Sequence, residues 1–282
     1  MADTDLAGGT GGVGDGVLTL PRSGLRLAVL LINLDRADTR RALMADRLAA
    51  AGLPWRRLPA VDGRALGFPI PEFSRTSYAM LHGRRTVPAE IGCYLSHVAA
   101  CRAFLGGGAD LALILEDDVS FLPGFIDTLD RAALAGDWDL LRLTTVNRGR
   151  KYAYRDLGNG QALGIALTRE KGAGAYVVNR AAAGWITSLL PMRLAYDIAF
   201  DLEFLAGLRA AFVDPLPASQ RSDQPTQIQA DINSYKLPVW RYLTVLPFRA
   251  VLETARLVMR GARLLRLRLR LRLRRGDGPA PG

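Results

Sequence analysis

Five consecutive apolar residues, Leu111 to Leu115, run straight into Glu116, Asp117 and Asp118. A short aliphatic run without polar alternation suits a strand buried on both faces of a sheet. Three adjacent carboxylates repel one another. They belong at the carboxyl edge of that sheet, where ligands of open α/β folds bind. In an extended segment Glu116 and Asp118 point the same way, so they could share a hard divalent ion that also grips a diphosphate. On these residues alone a plainer alternative stays open, a solvated turn or the N-cap of a helix starting at Pro123.

The flanking sequence extends the pattern. RLAVLLINL (26–34) is a second buried-strand run. Asp38 is placed to cap a helix whose apolar residues recur at helical spacing until Gly52. A strand is expected over 55–61, closing at Asp62-Gly63, and residues 64–86 read as a long loop over a site. A helix is expected from Pro88 to Phe104, with proline in its first turn and three glycines after it. Further on, the pattern gives a helix over 123–134, a strand over 139–144, and an irregular stretch over 147–161. It continues with a strand over 173–178, a helix over 181–190, one helix over 196–208, and a short strand over 211–213. Strands alternating with helices imply an α/β domain with a mainly parallel central sheet.

Charge is distributed unevenly. The formal net charge of +10 rests on nine arginines within 256–275, a stretch without acid. Setting those nine aside from the 37 basic residues leaves the rest of the chain almost balanced against 27 acidic ones. Cys93 and Cys101 fall on one expected helix at a spacing that suits neither a disulfide nor a two-cysteine metal clip, which favours a reducing compartment. Residues 1–24 read as a disordered leader without the features of a secretory signal. No uncharged apolar run of about eighteen residues occurs, so a cytoplasmic location is expected.

Several segments together resemble glycosyltransferase family 25, the lipooligosaccharide galactosyltransferase-like group. VLLINLDRADTRR (29–41) is similar to the family's opening strand, and LPAVDGR (58–64) to its Ala-Val-Asp-Gly element. PAEIGCYLSHVAACRAF (88–104) resembles its Glu-Ile-Gly-Cys and Ser-His signature, LILEDDV (113–119) its acidic motif, and GAGAYVVNRAAA (172–183) its Gly-Tyr strand and helix. The resemblance implies a GT-A-like single Rossmann-type domain, placed over 25–235, and the composition beyond it reads as a basic amphipathic tail over 236–282. It also implies inverting transfer of galactose or glucose from a UDP-sugar to a hydroxyl of a saccharide or lipid-linked saccharide in cell-envelope or lipopolysaccharide synthesis.

That chemistry must neutralise the departing diphosphate, deprotonate the acceptor hydroxyl and exclude water. Glu116 and Asp118 are the candidates to hold Mn²⁺ or Mg²⁺. Asn33, Asp35, Arg36 and Asp62, at the ends of the first two strands, are candidates for donor contacts, with Arg40 as a further one. Asp35 and Asp62 could equally be turn residues, and the arginines solvated helix charges. Glu90 and His97 could hold the acidic loop or touch the sugar. The alternatives are that Glu90 answers the helix dipole and that His97 is a hydrogen-bonded interior histidine. For the general base, Asp197 matches the family's later acidic position, and Asp117 stands second.

The C-terminal stretch 237–275 places Trp240, Tyr242, Leu243, Leu246 and Phe248 before LLRLRLRLRLRR. Strict Leu-Arg alternation fits a two-faced strand or a broad helix. Either puts leucine beside dense positive charge, a surface that anionic lipid attracts by about 1 kcal/mol per basic residue. The expected partner is the inner face of the cell membrane. Nucleic acid is disfavoured because the near-neutral body offers no second basic surface. A non-catalytic scaffold that kept the fold is the other rival.

Overall fold

The computed structural model describes residues 15–147, 149–220 and 235–276. Its elements begin with β1 (Val17–Thr19), β2 (Arg26–Asn33), α1 (Asp38–Ala50), β3 (Arg56–Pro59), α2 (Arg75–His82) and α3 (Pro88–Leu105). There follow β4 (Leu111–Glu116), β5 (Val119–Phe121), α4 (Phe125–Ala135), β6 (Leu140–Arg142), β7 (Lys151–Asp156), β8 (Ala162–Ala166) and β9 (Ala175–Asn179). The chain continues through α5 (Arg180–Thr187), α6 (Tyr196–Ala199), β10 (Ala210–Asp214), β11 (Ala218–Gln220) and α7 (Tyr242–Gly276).

Both aliphatic runs form central strands. Val29 and Leu31 of β2 and Leu113 and Leu115 of β4 face one apolar layer with Met44 and Leu48 of α1 and Leu129 of α4. Leu30, Ile32, Ala112 and Ile114 face the other, with Ile91, Val98 and Phe104 of α3 and Ile186 of α5. Leu27, Val29–Asn33 and Leu111–Leu115 therefore leave water, which is why neither run shows polar alternation.

The sheet is mixed, which corrects the expectation of a mainly parallel one. Its order is β1-β2-β4-β9-β6-β10-β8-β7, with β3 on the same edge of β2 as β1. β3 with β2, β2 with β4, and β10 with β6 pair in parallel. β9 enters between β4 and β6 antiparallel to both, and β7, β8 and β10 are antiparallel neighbours. The stretch read as irregular over 147–161 supplies β7, whose hairpin with β8 adds two of those antiparallel strands.

Other boundaries shift for identifiable reasons. α1 is preceded by Ala37, and Asp38 stands in its first turn, favourable to the helix dipole. The loop of 64–86 contains α2. The single helix expected over 196–208 is α6 followed by a 3₁₀ segment, Phe200–Ala206, kinked at Leu202. That change of pitch buries Phe200, Asp201 and Glu203 together. The leader expected through residue 24 ends sooner, because Val17–Thr19 hydrogen-bonds to β2. Residues 1–14 lie outside the described residues.

The basic tail is a helix that docks on the domain. One stripe of α7 buries Val245, Leu252, Arg256, Arg260 and Leu264, and Leu264 joins the same apolar layer as Val29 and Leu113. Arg256 is 0% exposed and Arg260 3%. Both bind Asp201, which also takes Arg142, while Arg260 embraces Glu203 through Nε at 3.0 Å and Nη2 at 2.7 Å. No helix among the described residues is long and apolar enough to cross a membrane.

Candidate active site

The carboxyl ends of β2 and β4 open into a cleft of about 560 Å³, walled also by α3, α6 and the first turns of α7. Its floor is the acidic triplet. Glu116 and Asp118 lie on the same side, and Gln220 Nε2 donates to Glu116 Oε2 at 2.6 Å and to Asp118 Oδ2 at 3.4 Å. Asp117 turns the other way, accepting from Asn33 Nδ2 at 2.7 Å and pairing with Arg40 at 3.2 Å. Asp117 and Asp118 form the two-residue turn between β4 and β5, which corrects the expectation of an extended triplet, and it is this turn that sends them to opposite sides.

These carboxylates are out of electrostatic balance. Burial, then the charges of Glu116 and Asp117, push Asp118 up to about 7. Burial also lifts Asp117, against the Asn33 hydrogen bond and Arg40. Asp118 Oδ1 is buried with no partner among the described residues. An orphaned carboxylate oxygen beside a second carboxylate is a donor set suited to a hard divalent cation.

Glu116 is held from behind. His97, 1% exposed, places Nε2 3.1 Å from Glu116 Oε1 and Nδ1 2.9 Å from the Tyr176 hydroxyl. Its ring stacks on Tyr196 at 4.1 Å and 5°. Both alternatives offered by the sequence are therefore true of His97, an interior histidine that orients the acidic motif. Glu90 is tied to Arg84 at 2.5 Å and to the Tyr78 hydroxyl, with His82 3.6 Å away. Burial opposes its ionisation, but the approach of His82, the Tyr78 hydrogen bond and Arg84 prevail and hold Glu90 below its ordinary value.

The loop after β3 is clamped onto α3. Ser96 Oγ accepts from Val61 N at 2.8 Å and donates to Gly92 O at 2.7 Å. A Cβ on Gly63 would stand 1.7 Å from the Pro88 carbonyl oxygen, so only glycine permits this approach. Asp62 then caps the turn through Arg64 N at 3.1 Å and pairs with Arg36, whose hydrogen bond lowers the Asp62 pKa.

Asn33, Arg36, Asp62, Glu90, His97, Glu116, Asp117, Asp118 and Asp197 all line the cleft. Asp35 does not, which corrects its selection as a donor contact. It follows the end of β2, is 83% exposed in its side chain, and turns outward to Arg57. Asp197 opens α6 facing the cleft, and burial raises its pKa against the opposing charges of Arg169 and His82. The sequence reading missed Gln220, Cys93, His82 and a basic wall of Arg84, Arg169, Lys171 and Arg249. Only Cys93 carried a local signal, four residues before His97 on one helix.

The profile of glycosyltransferase family 25 (LPS biosynthesis protein) matches residues 27–198, a span that holds all the lining residues of the β2, β4, α3 and α6 ends. The chain belongs to glycosyltransferase family 25. Among its relatives, a glycosyltransferase 25 family member of Aedes aegypti is 35% identical over 122 residues, covering 40% of this chain and 20% of that protein. Procollagen galactosyltransferase 2 of Homo sapiens is 31% identical over 127 residues, 40% of this chain and 20% of that one. The probable inactive glycosyltransferase 25 family member 3 of Rattus norvegicus is 32% identical over 127 residues, 41% and 22%. The chain thus spans about a fifth of the length of these family 25 relatives.

Proposed function

We propose that this family 25 chain is a GT-A-like glycosyltransferase that moves a hexose, galactose or glucose, from a UDP-sugar to a hydroxyl of a saccharide or lipid-linked saccharide. Cell-envelope synthesis is the setting that fits such an acceptor. The observation that carries the reading is the buried, unpartnered Asp118 Oδ1 beside Glu116 on the floor of the cleft. Glu116 and Asp118 would hold Mn²⁺ or Mg²⁺, which supplies positive charge for the departing diphosphate.

The chain's own groups do the rest. Arg36 and Arg40 bring further positive charge to the donor side, and Asn33 and Asp117 brace each other there. Asp197, kept weakly acidic by burial, takes the acceptor hydroxyl proton on a carboxylate oxygen as the new C–O bond forms and the bond to UDP breaks. A single displacement of this kind inverts the anomeric carbon.

The outer face of α7 supports a peripheral location at the inner face of the cell membrane. Leu243, Leu246, Val251, Leu257, Leu265 and Leu269 are exposed on it, with Arg266 and Arg270 among them. Apolar side chains interleaved with guanidinium groups suit an anionic lipid surface.

The test is a screen of the purified protein against several UDP-sugars with and without Mn²⁺. Cation-dependent release of UDP from one of them is expected. Absence of both UDP release and cation-dependent donor binding would favour a non-catalytic scaffold.

A further inference from the structure

On the face of α3 that lines the cleft, Cys93 stands one helical turn before His97, and Glu116 lies opposite at the end of β4. Cys93 Sγ, a His97 ring nitrogen and a Glu116 carboxylate oxygen all lie within 4.8 Å of one another, and His97 Nε2 stands 3.1 Å from Glu116 Oε1. Residues four apart share a helix face, so the thiol and the imidazole necessarily converge. We propose that these three side chains form a binding site for a thiophilic divalent cation such as Zn²⁺, distinct in ligand type from the all-oxygen pair Glu116 and Asp118.

Sulfur, imidazole nitrogen and one carboxylate oxygen are the donor set that zinc selects over magnesium or manganese. Around a tetrahedral ion, donors at roughly 2.0–2.3 Å stand about 3.3–3.8 Å apart, so His97 Nε2 and Glu116 Oε1 already stand near that spacing and the remaining separations close by no more than about 1.5 Å. Cys93 and Glu116 are single side chains on a rigid helix and strand, and rotation about their own bonds supplies that movement.

The imidazole is already mounted as a ligand. A metal-bound histidine normally donates its other N–H to a fixed partner. His97 Nδ1 lies 2.9 Å from the Tyr176 hydroxyl, which lies 2.9 Å from the Tyr196 hydroxyl, and the Tyr196 ring stacks on the imidazole. A hydroxyl can donate or accept. Without a cation, Nε2–H donates to Glu116 while Tyr176 donates to Nδ1. With one, Nδ1–H donates to Tyr176 and the Nε2 lone pair faces the ion, so the relay serves both states without moving the ring. The bound ion takes Cys93 as the thiolate and releases its proton to solvent.

Because Glu116 belongs to both donor sets, a thiophilic ion here competes with the Mn²⁺ or Mg²⁺ of transfer and inhibits it. That consequence rests on the proposed function, whereas the binding itself does not.

Co²⁺ is the probe. Titrated into chelator-treated full-length protein, one equivalent should produce a near-ultraviolet thiolate-to-cobalt charge-transfer band, which Zn²⁺ then bleaches. Cys93→Ser should abolish the band while melting normally, Cys101→Ser should keep it, and Glu116→Gln should weaken Co²⁺ affinity at least about tenfold. An absent band, a band that survives Cys93→Ser, or an unchanged affinity in Glu116→Gln overturns the site. Loss of UDP-sugar turnover in a protein that retains the band would count against the transfer reading alone. Normal turnover without the band would count against this site alone.

Discussion

Replacing Arg260 with alanine tests whether the C-terminal helix belongs to the fold or merely follows it. Arg260 is 3% exposed and donates to both Glu203 oxygens, to Asp201 Oδ1 at 3.0 Å, and to the Ala166 and Asp201 carbonyls at 3.2 Å each. Asp201 keeps Arg142 and Arg256 when Arg260 is removed, but Glu203 has no other ion-pair partner among the described residues. Truncation therefore strands one buried carboxylate. Breaking a buried pair in this way costs about 3–5 kcal/mol, which for a chain of this size lowers Tm by on the order of 10 °C.

The loss carries a pH signature. Burial already raises the pKa of Glu203, and Arg260 is the leading opposing influence, so the variant raises it further. A carboxyl whose folded value exceeds its unfolded one contributes stability below the unfolded pKa and loses it as pH rises through the folded one. The deficit of Arg260→Ala should accordingly be larger at pH 8 than at pH 5. Urea denaturation at both pH values measures it, with Arg266→Ala, an exposed arginine of the same helix, expected within about 0.5 kcal/mol of the parent. If Arg260→Ala unfolds within 1 kcal/mol of the parent at pH 8, roughly the cost of an exposed pair, α7 is not docked as described.

Four further outcomes follow from the site. Asp118→Asn should cut cation-dependent turnover by roughly two orders of magnitude. It should also stabilise the fold more at pH 8 than at pH 5, since the parent must ionise a carboxyl whose pKa is about 7, and a thermal melt series reads this. Asp197→Ala should lose turnover while binding the donor normally by calorimetry, and the acid limb of the parent's kcat should lie above the ordinary carboxylate range; parental turnover in that variant removes Asp197 as the base. Gly63→Ala should destabilise by about 3 kcal/mol in urea, because its Cβ meets the Pro88 carbonyl at 1.7 Å; an unperturbed midpoint would mean that the loop after β3 does not rest on α3. Sedimentation with anionic vesicles should fall when Leu265, Arg266, Leu269 and Arg270 are all changed to serine, and binding equal to the parent's would refute the membrane surface.

How much of this was legible in the sequence depends on how far each cause reaches along the chain. The β2 and β4 runs and the α3 helix with its proline and glycines follow from neighbours a few residues away, and local periodicity displays them, whereas the turn at Asp117 and Asp118 interrupts that periodicity. β7 was legible in principle, since Tyr152 and Tyr154 stand two apart at strand spacing, but charges at Lys151, Arg155 and Asp156 made KYAYRD resemble a loop. Parallel or antiparallel pairing is decided by where β9 inserts, and no residue within β9 encodes that choice. Gln220 reaches Glu116 across 104 residues and has no pattern of its own.

The tail exposes the deepest gap between charge and place. Counting arginines treats all nine in 256–275 as surface charge, whereas the buried acids that claim Arg256 and Arg260 lie more than fifty residues earlier, at Asp201 and Glu203, with Glu253 as a local second partner of Arg256. Arg263 likewise turns inward, to the Ala210 and Asp137 carbonyls. Arg256 and Arg260 enter the fold because burying Asp201 and Glu203 requires cations to accompany them, whereas Arg263 satisfies backbone carbonyls. The basic run is thus divided by function within one helix. Its first turns neutralise the interior, and within the run solvent-exposed arginine begins only at Arg266, which is why the vesicle experiment changes side chains from residue 265 onward and leaves the earlier arginines in place.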